Sequence, residues 1–242
     1  MYGIMLVKMD SGLIEQPFGI SRKTITDKIK NNSRNYYYGT ESEVINFKLQ
    51  FMKFSPWTYE QRVRVTQWFF YSGYKDFISE DFPLVYKIIG VGEPKFYNNG
   101  NNEGYLEIEF ETDQPYAYSP VEISSFDLSD NVSTTIITAE NKSNVPDFYY
   151  YNPEIQIELL EGVGFVINNL TDGNREFSFS GLTEGEVVYC NCETGLVYST
   201  LNNTRLSNLS NKQFLRLKYG VNNLMVAGKV NILFRMQYPM MV

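Results

Sequence analysis

Tyr105-Leu-Glu-Ile-Glu-Phe-Glu111 alternates apolar and acidic side chains one for one. Successive side chains of an extended strand point to opposite faces. Leu106, Ile108 and Phe110 therefore face a core, and Glu107, Glu109 and Glu111 form a row on the other side. Just upstream, Asn98-Asn-Gly-Asn-Asn102 is a turn cluster, and before it lies the apolar run Leu84-Val-Tyr-Lys-Ile-Ile89. Further back, Glu43-Val-Ile-Asn-Phe-Lys-Leu-Gln-Phe51 repeats the two-residue alternation. One segment breaks the pattern. Tyr59, Val63, Thr66 and Phe70 recur at helical spacing, with Ser55-Pro56 as cap and first-turn proline and Ser72-Gly73 as stop. Trp57, Trp68 and Phe69 load this predicted helix with aromatic surface, so it should cap a sheet.

Downstream of Pro115-Tyr-Ala-Tyr118 the patterning weakens through a stretch rich in Ser, Thr, Asp and Asn, with one candidate strand at Thr134-Thr-Ile-Ile-Thr138. A domain boundary is expected near residue 125, dividing the chain into 1–125 and 126–242. The second part reads as strands and turns throughout. Pro153-Glu-Ile-Gln-Ile-Glu-Leu159, Val163-Gly-Phe-Val-Ile167, Arg175-Glu-Phe-Ser-Phe179 and Glu186-Val-Val-Tyr-Cys190 come first. Leu196-Val-Tyr198, Leu215-Arg-Leu-Lys218, Leu224-Met-Val-Ala227 and Val230-Asn-Ile-Leu-Phe-Arg-Met236 follow. Many short strands at regular turn spacing predict a sandwich or barrel. Composition agrees, since 19 Tyr and 17 Phe suit pleated, half-buried surfaces. The expected fold class is mainly β with one helix.

The chemistry is defined by what is missing. The 242 residues contain no histidine, which removes Ser-His-Asp and Cys-His catalysis and the common zinc motifs. Gly162-Val-Gly164 lacks the third glycine and the following helix of a phosphate cradle. The row Glu107, Glu109, Glu111 supplies carboxylates, but on one outward strand face rather than across a cleft, as glycoside hydrolysis requires. No enzyme activity and no cofactor are expected. Cys190 and Cys192, two residues apart, share a face near the upper limit for a relaxed disulfide, and read as buried reduced thiols. A net charge of −7 opposes phosphate neutralisation on nucleic acid. No apolar stretch approaches the roughly 20 residues of a membrane span, and Met1 to Lys8 reads as a first strand rather than a signal peptide. The Asn-x-Ser/Thr triplets at Asn141, Asn169 and Asn208 read as products of an Asn-rich composition. Tyr36-Tyr-Tyr38 and Tyr149-Tyr-Tyr151 flank turn residues and are candidate subunit-interface aromatics, with ordinary strand packing as the alternative.

The order of the pieces resembles the distal tail protein family of siphophages and related baseplate hub proteins. Arg22-Lys23 and Arg34-Asn-Tyr-Tyr-Tyr-Gly39, the strand from Glu43 to Phe54, and the helix ending Gln67-Trp-Phe-Phe70 carry the likeness. So do Tyr74-Lys-Asp-Phe77, Phe82-Pro-Leu-Val-Tyr86 and Phe110 through Tyr118. In the second half, Glu140-Asn-Lys142, Pro153 to Ile157, Phe177 to Gly185, Val188 to Tyr198 and Tyr219-Gly-Val-Asn-Asn223 follow in the family's order.

The resemblance implies an N-terminal β belt domain carrying the helix and a C-terminal galectin-like β-sandwich. It implies a homo-oligomeric ring, hexameric in the family, that joins the tail tube protein to tail-tip proteins. The location would be the virion, after synthesis in the host cytoplasm, with DNA only as passing cargo and no membrane. In such a ring Glu107, Glu109 and Glu111 are candidates for lining the lumen, where they would repel phosphate. The alternative function is a carbohydrate-binding adhesion protein of the tail tip. Against it, a galectin-type sugar site uses a stacking Trp and a His, whereas Trp57 and Trp68 lie in the first half and His is missing.

Overall fold

The computed structural model describes residues 4–7, 21–79, 82–145, 149–201 and 204–241. The chain divides into two units, one of Met1–Tyr118 with Met240–Val242 and one of Ser119–Pro239. The strand Glu122–Asp127 pairs along its length with Asn231 to Met236. That ladder ties the strand to the second unit.

The first unit contains strands β1 (Ile4–Val7), β2 (Arg22–Lys28), β3 (Asn35–Ser42) and β4 (Asn46–Lys53), then helix α1 (Tyr59–Phe69). Strands β5 (Lys75–Ser79), β6 (Phe82–Asn98), β7 (Gly104–Thr112) and β8 (Ala117–Tyr118) complete it. The main sheet runs β1-β4-β7-β6-β8, with β5 also on β6. Its inner face is the predicted one: Leu106, Ile108 and Phe110 are buried while the alternating glutamates are not. The helix covers that face. Val65 is buried, and Phe69 packs against Phe51 and Phe110 at ring distances of 4.9 and 5.3 Å.

The helix starts later than Ser55-Pro56 suggested. Thr58 is the cap: its hydroxyl accepts from the Gln61 amide and the Gln61 side chain accepts from the Thr58 amide, both at 3.2 Å. A reciprocal Thr-x-x-Gln box satisfies two end donors at once, which the Ser-Pro pair does not match. Trp57, just ahead of the cap, is 2% exposed and donates its indole N–H to the Gly104 carbonyl at 3.0 Å, fastening the helix start to β7. Trp68 lies exposed instead.

In the second unit β9 (Glu122–Asp127), β10 (Thr134–Asn141), β11 (Tyr150–Tyr151) and β12 (Glu154–Asn169) come first. They are followed by β13 (Arg175–Ser180), β14 (Val187–Asn191), β15 (Leu196–Ser199), β16 (Leu217–Lys218) and β17 (Gly220–Met236). Several segments predicted as separate strands are continuous. β12 joins Pro153–Leu159 to Val163–Ile167, and β17 joins Leu224–Ala227 to Val230–Met236. Each long strand serves two neighbours: β12 pairs β14 through Glu154–Glu158 and β13 through Gly164–Asn169, while β17 pairs β10 with its first half and β9 with its second.

Between the halves the β12–β17 register shifts twice, at Leu159/Glu161 and Glu161/Val166. Glycine makes the bend: a Cβ on Gly164 would sit 2.2 Å from the Phe179 carbonyl oxygen, and Gly228 adopts φ +114°. Ile155, Ile157, Leu159, Phe165 and Ile167 are buried on one strand, and Val226, Val230, Ile232 and Phe234 on the other. The same side is therefore buried in both halves and forms the core.

Two of the Asn-x-Ser/Thr sites serve this core. Asn169 donates to the Asn222 side chain (2.9 Å) and the Arg216 carbonyl (2.8 Å) and caps the following 3-10 turn, and Asn141 donates to the Leu217 carbonyl. Asn222 in turn bonds the backbone of Lys218 and Gly220, which explains the Tyr219-Gly-Val-Asn-Asn223 motif. Both asparagines are buried and closed to a glycan.

Candidate interaction surfaces

The outer face of β7 carries Glu107, Glu109 and Glu111 in one row, all half-buried. Cross-strand neighbours temper their charge. Lys48 lies opposite Glu109 on β4, and Lys95 lies opposite Glu107 on β6. Glu107 also accepts from the Gln50 side chain at 2.9 Å. Opposite charges paired across strands support a sheet, so the row is partly compensated rather than a bare anionic stripe. The Tyr74 hydroxyl is raised, first by burial and then by the negative charges of Glu111 and Asp113 and a hydrogen bond to Glu111.

Tyr36, Tyr37 and Tyr38 lie on β3, which among the described residues pairs with β2 alone in a separate two-stranded ribbon. All three rings are exposed, Tyr37 by 64% and Tyr38 by 69%. The register slips between Ile25/Gly39 and Thr26/Tyr37, leaving Tyr38 as the extra residue of a bulge. The Arg34 guanidinium sits 6.0 Å from the Tyr36 ring.

Family models described as phage tail protein N-terminal domain and phage tail C-terminal domain match residues 1–114 and 116–236. The chain belongs to this phage tail protein family. A relative of the tail protein is the SPbeta prophage-derived protein YomH of Bacillus subtilis (strain 168), 20% identical over 238 residues, covering 98% of this chain and 92% of that one. Among solved structures, SPP1 Dit (gp 19.1), described as a paradigm of the hub adsorption apparatus in Gram-positive infecting phages, superimposes with TM-score 0.67 at 11% identity. The match covers 97% of this chain and 93% of that one. A chain of the phage P2 baseplate in its activated conformation matches with TM-score 0.53 and 9% identity over 96% and 90% of the two chains. The tail protein shares their two-domain, mainly β fold.

The second tyrosine run of the tail protein is built inward. Tyr150 lies under the Arg216 guanidinium at 3.8 Å, and Arg216 is itself held by Asp172 at 2.7 Å. The Tyr151 hydroxyl accepts from the Gln237 amide at 2.9 Å, its ring packs 5.0 Å from Tyr238, and burial pushes its pKa up to about 12. Only Tyr149 is exposed, with the Lys218 ammonium 5.7 Å from its ring. The two tyrosine runs, identical in sequence, therefore differ in fate.

Cys190 and Cys192 are buried free thiols with sulfurs 3.8 Å apart, and burial raises the Cys192 thiol well above its usual range, the Cys190 thiol adding to this. Among the described residues no group of three or more metal-ligating side chains gathers. No described helix is long and apolar enough to cross a membrane.

Sequence reasoning passed over two features. One is the basic character of the ribbon: Lys23, Lys28, Lys30 and Arg34, clustered within an acidic chain, were a readable signal. The other is Glu186, 1% exposed, which accepts from Arg205 Nε at 2.6 Å, Arg205 Nη2 at 2.8 Å, Ser199 Oγ at 2.5 Å and the Thr183 amide at 3.0 Å. Its partner lies 19 positions away, at a spacing no strand or helix period marks.

Proposed function

We propose that this tail protein is a distal tail protein: copies close into a ring, six in number, that joins the tail tube to the tail-tip proteins and leaves a passage for DNA. The observation that carries this reading is the incompleteness of the first unit. Among the described residues it buries ten apolar side chains, whereas the second unit, more of which is described, buries twenty-six. Phe47, Leu49, Phe51, Phe69, Phe70, Phe77 and Phe96 are only partly buried around its core, and Phe54, Tyr59 and Trp68 stand exposed. Apolar and aromatic surface left open on this scale marks an interaction face.

A ring supplies the missing cover, since each subunit of a closed cycle presents two different faces to its neighbours. The self-sufficient second unit, a galectin-like sandwich in this reading, then serves as a docking or spacer module. The row Glu107, Glu109, Glu111 lines the lumen and keeps DNA phosphate from sticking.

Native mass spectrometry and negative-stain imaging of the purified protein, alone and with its tail tube and tip partners, test the proposal. Six-membered rings are expected. A protein that stays monomeric with those partners present would overturn it.

A further inference from the structure

The β2–β3 ribbon forms a two-stranded sheet of its own. Its base is closed by the Glu43 amide on the Ser21 carbonyl at 3.0 Å and by the Ser21 hydroxyl on the Glu43 carboxylate at 3.2 Å. At the tip, Asn31 turns at φ +69°, the Asn32 amide donates to the Ile29 carbonyl at 2.9 Å, and the Arg34 amide donates to the Asn32 side chain at 3.0 Å. The Asn32 amide group then reaches the Tyr36 hydroxyl at 3.2 Å. Between base and tip no residue of either strand is buried. An isolated two-stranded hairpin is at best marginal in water. Ile25, Ile29, Tyr36, Tyr37 and Tyr38 are nonetheless held out to solvent on this one.

Charge points to what covers it. From Ser21 to Ser42 the ribbon carries five cations (Arg22, Lys23, Lys28, Lys30, Arg34) against two carboxylates (Asp27, Glu41), in a chain of net charge −7. The rest of the molecule therefore holds the entire acidic excess, and a basic arm is complementary to the body of an identical chain. We propose that the ribbon is an arm that docks on a second copy of this protein. Its lysines and arginines meet that copy's carboxylates, and its tyrosines and isoleucines bury against that copy's open apolar surface. This rests on the ring reading and names the contact that closes the ring. A protruding arm on one side and an acidic, under-covered face on the other are the two dissimilar faces that a heterologous cycle needs.

The test uses the full chain and two variants, Lys28→Glu/Lys30→Glu/Arg34→Glu and Tyr37→Ser/Tyr38→Ser. Because these side chains enter no core, both variants should fold with the wild-type circular dichroism spectrum and melting temperature. Sedimentation velocity should show self-association weakened at least about tenfold in each, and in the charge variant a loss of the salt sensitivity of the wild type. Rings that form equally well in both variants would overturn the arm while leaving the ring intact. A wild type with no self-association, alone or with its tail tube and tip partners, would sink both ideas. A basic, aromatic ribbon is also suited to nucleic acid, so fluorescence anisotropy with a labelled oligonucleotide is run alongside. Wild-type binding that the charge variant loses while its rings persist would replace the second copy by DNA as the partner.

Discussion

Replacing Arg205 by Met should unbalance Glu186, a carboxylate that the fold seals from water. The Glu186 side chain is fully buried and Arg205 is 13% exposed. Two of the four hydrogen bonds that Glu186 receives come from Arg205. The Glu186 backbone also takes part in the second unit's core, accepting from the Leu159 amide at 3.0 Å. Breaking a buried pair by removing one partner costs about 3–5 kcal/mol, because the remaining charge is stranded. For a unit of this size that is a fall of about 10–20 °C in melting temperature.

The pH dependence carries the mechanism. Burial by itself would push the Glu186 carboxyl up, but the bonds from Arg205, Ser199 and Thr183 hold it below its usual 4.5. A lowered carboxyl contributes stability above the unfolded pKa, and that stability is lost as pH falls through the folded value. Without Arg205, burial wins and the carboxyl rises, so the deficit is largest near neutrality and narrows on acidification. Calorimetry of wild type and Arg205→Met from neutral pH down to about 4 measures this. A deficit below about 1 kcal/mol at neutral pH, or one that does not change with pH, would show that Arg205 does not hold Glu186 in its charged form. Replacing both Glu186 and Arg205 by Met should recover much of the loss, since an apolar pair strands no charge.

Two further outcomes follow from the strands. Gly164→Ala places a methyl carbon 2.2 Å from the Phe179 carbonyl oxygen, so the β12–β13 ladder must part at its end. The expected cost is about 1–3 kcal/mol, with faster amide hydrogen exchange across Arg175–Ser180; unchanged exchange would show that the bend tolerates a side chain. Converting Glu107, Glu109 and Glu111 together to Gln should leave the melting temperature nearly unchanged, since Leu106, Ile108 and Phe110 carry that strand's burial. It should slow DNA ejection from assembled particles, and normal ejection would remove the lumen role.

In this tail protein, whatever depends on near neighbours along the chain was legible before any fold was known. Alternation from Tyr105 to Glu111 assigned each side chain to a face, because in a strand that choice depends only on parity. Helical spacing located α1, although its cap moved to Thr58 because a reciprocal box outcompetes a lone Ser-Pro. The order of segments along the chain carried the family resemblance.

Tertiary structure decided everything that needs a distant partner. It fused predicted short strands into β12 and β17, since a glycine that reads as a break becomes a bend once a neighbouring strand pairs across it. It drew Tyr150 and Tyr151 inward beneath Arg216 and beside Tyr238, while Tyr36, Tyr37 and Tyr38, the same three letters, were left exposed on a two-stranded ribbon. It joined Glu186 to Arg205 through a loop closure. Strand parity is local, whereas burial and charge pairing are properties of what the rest of the chain brings alongside.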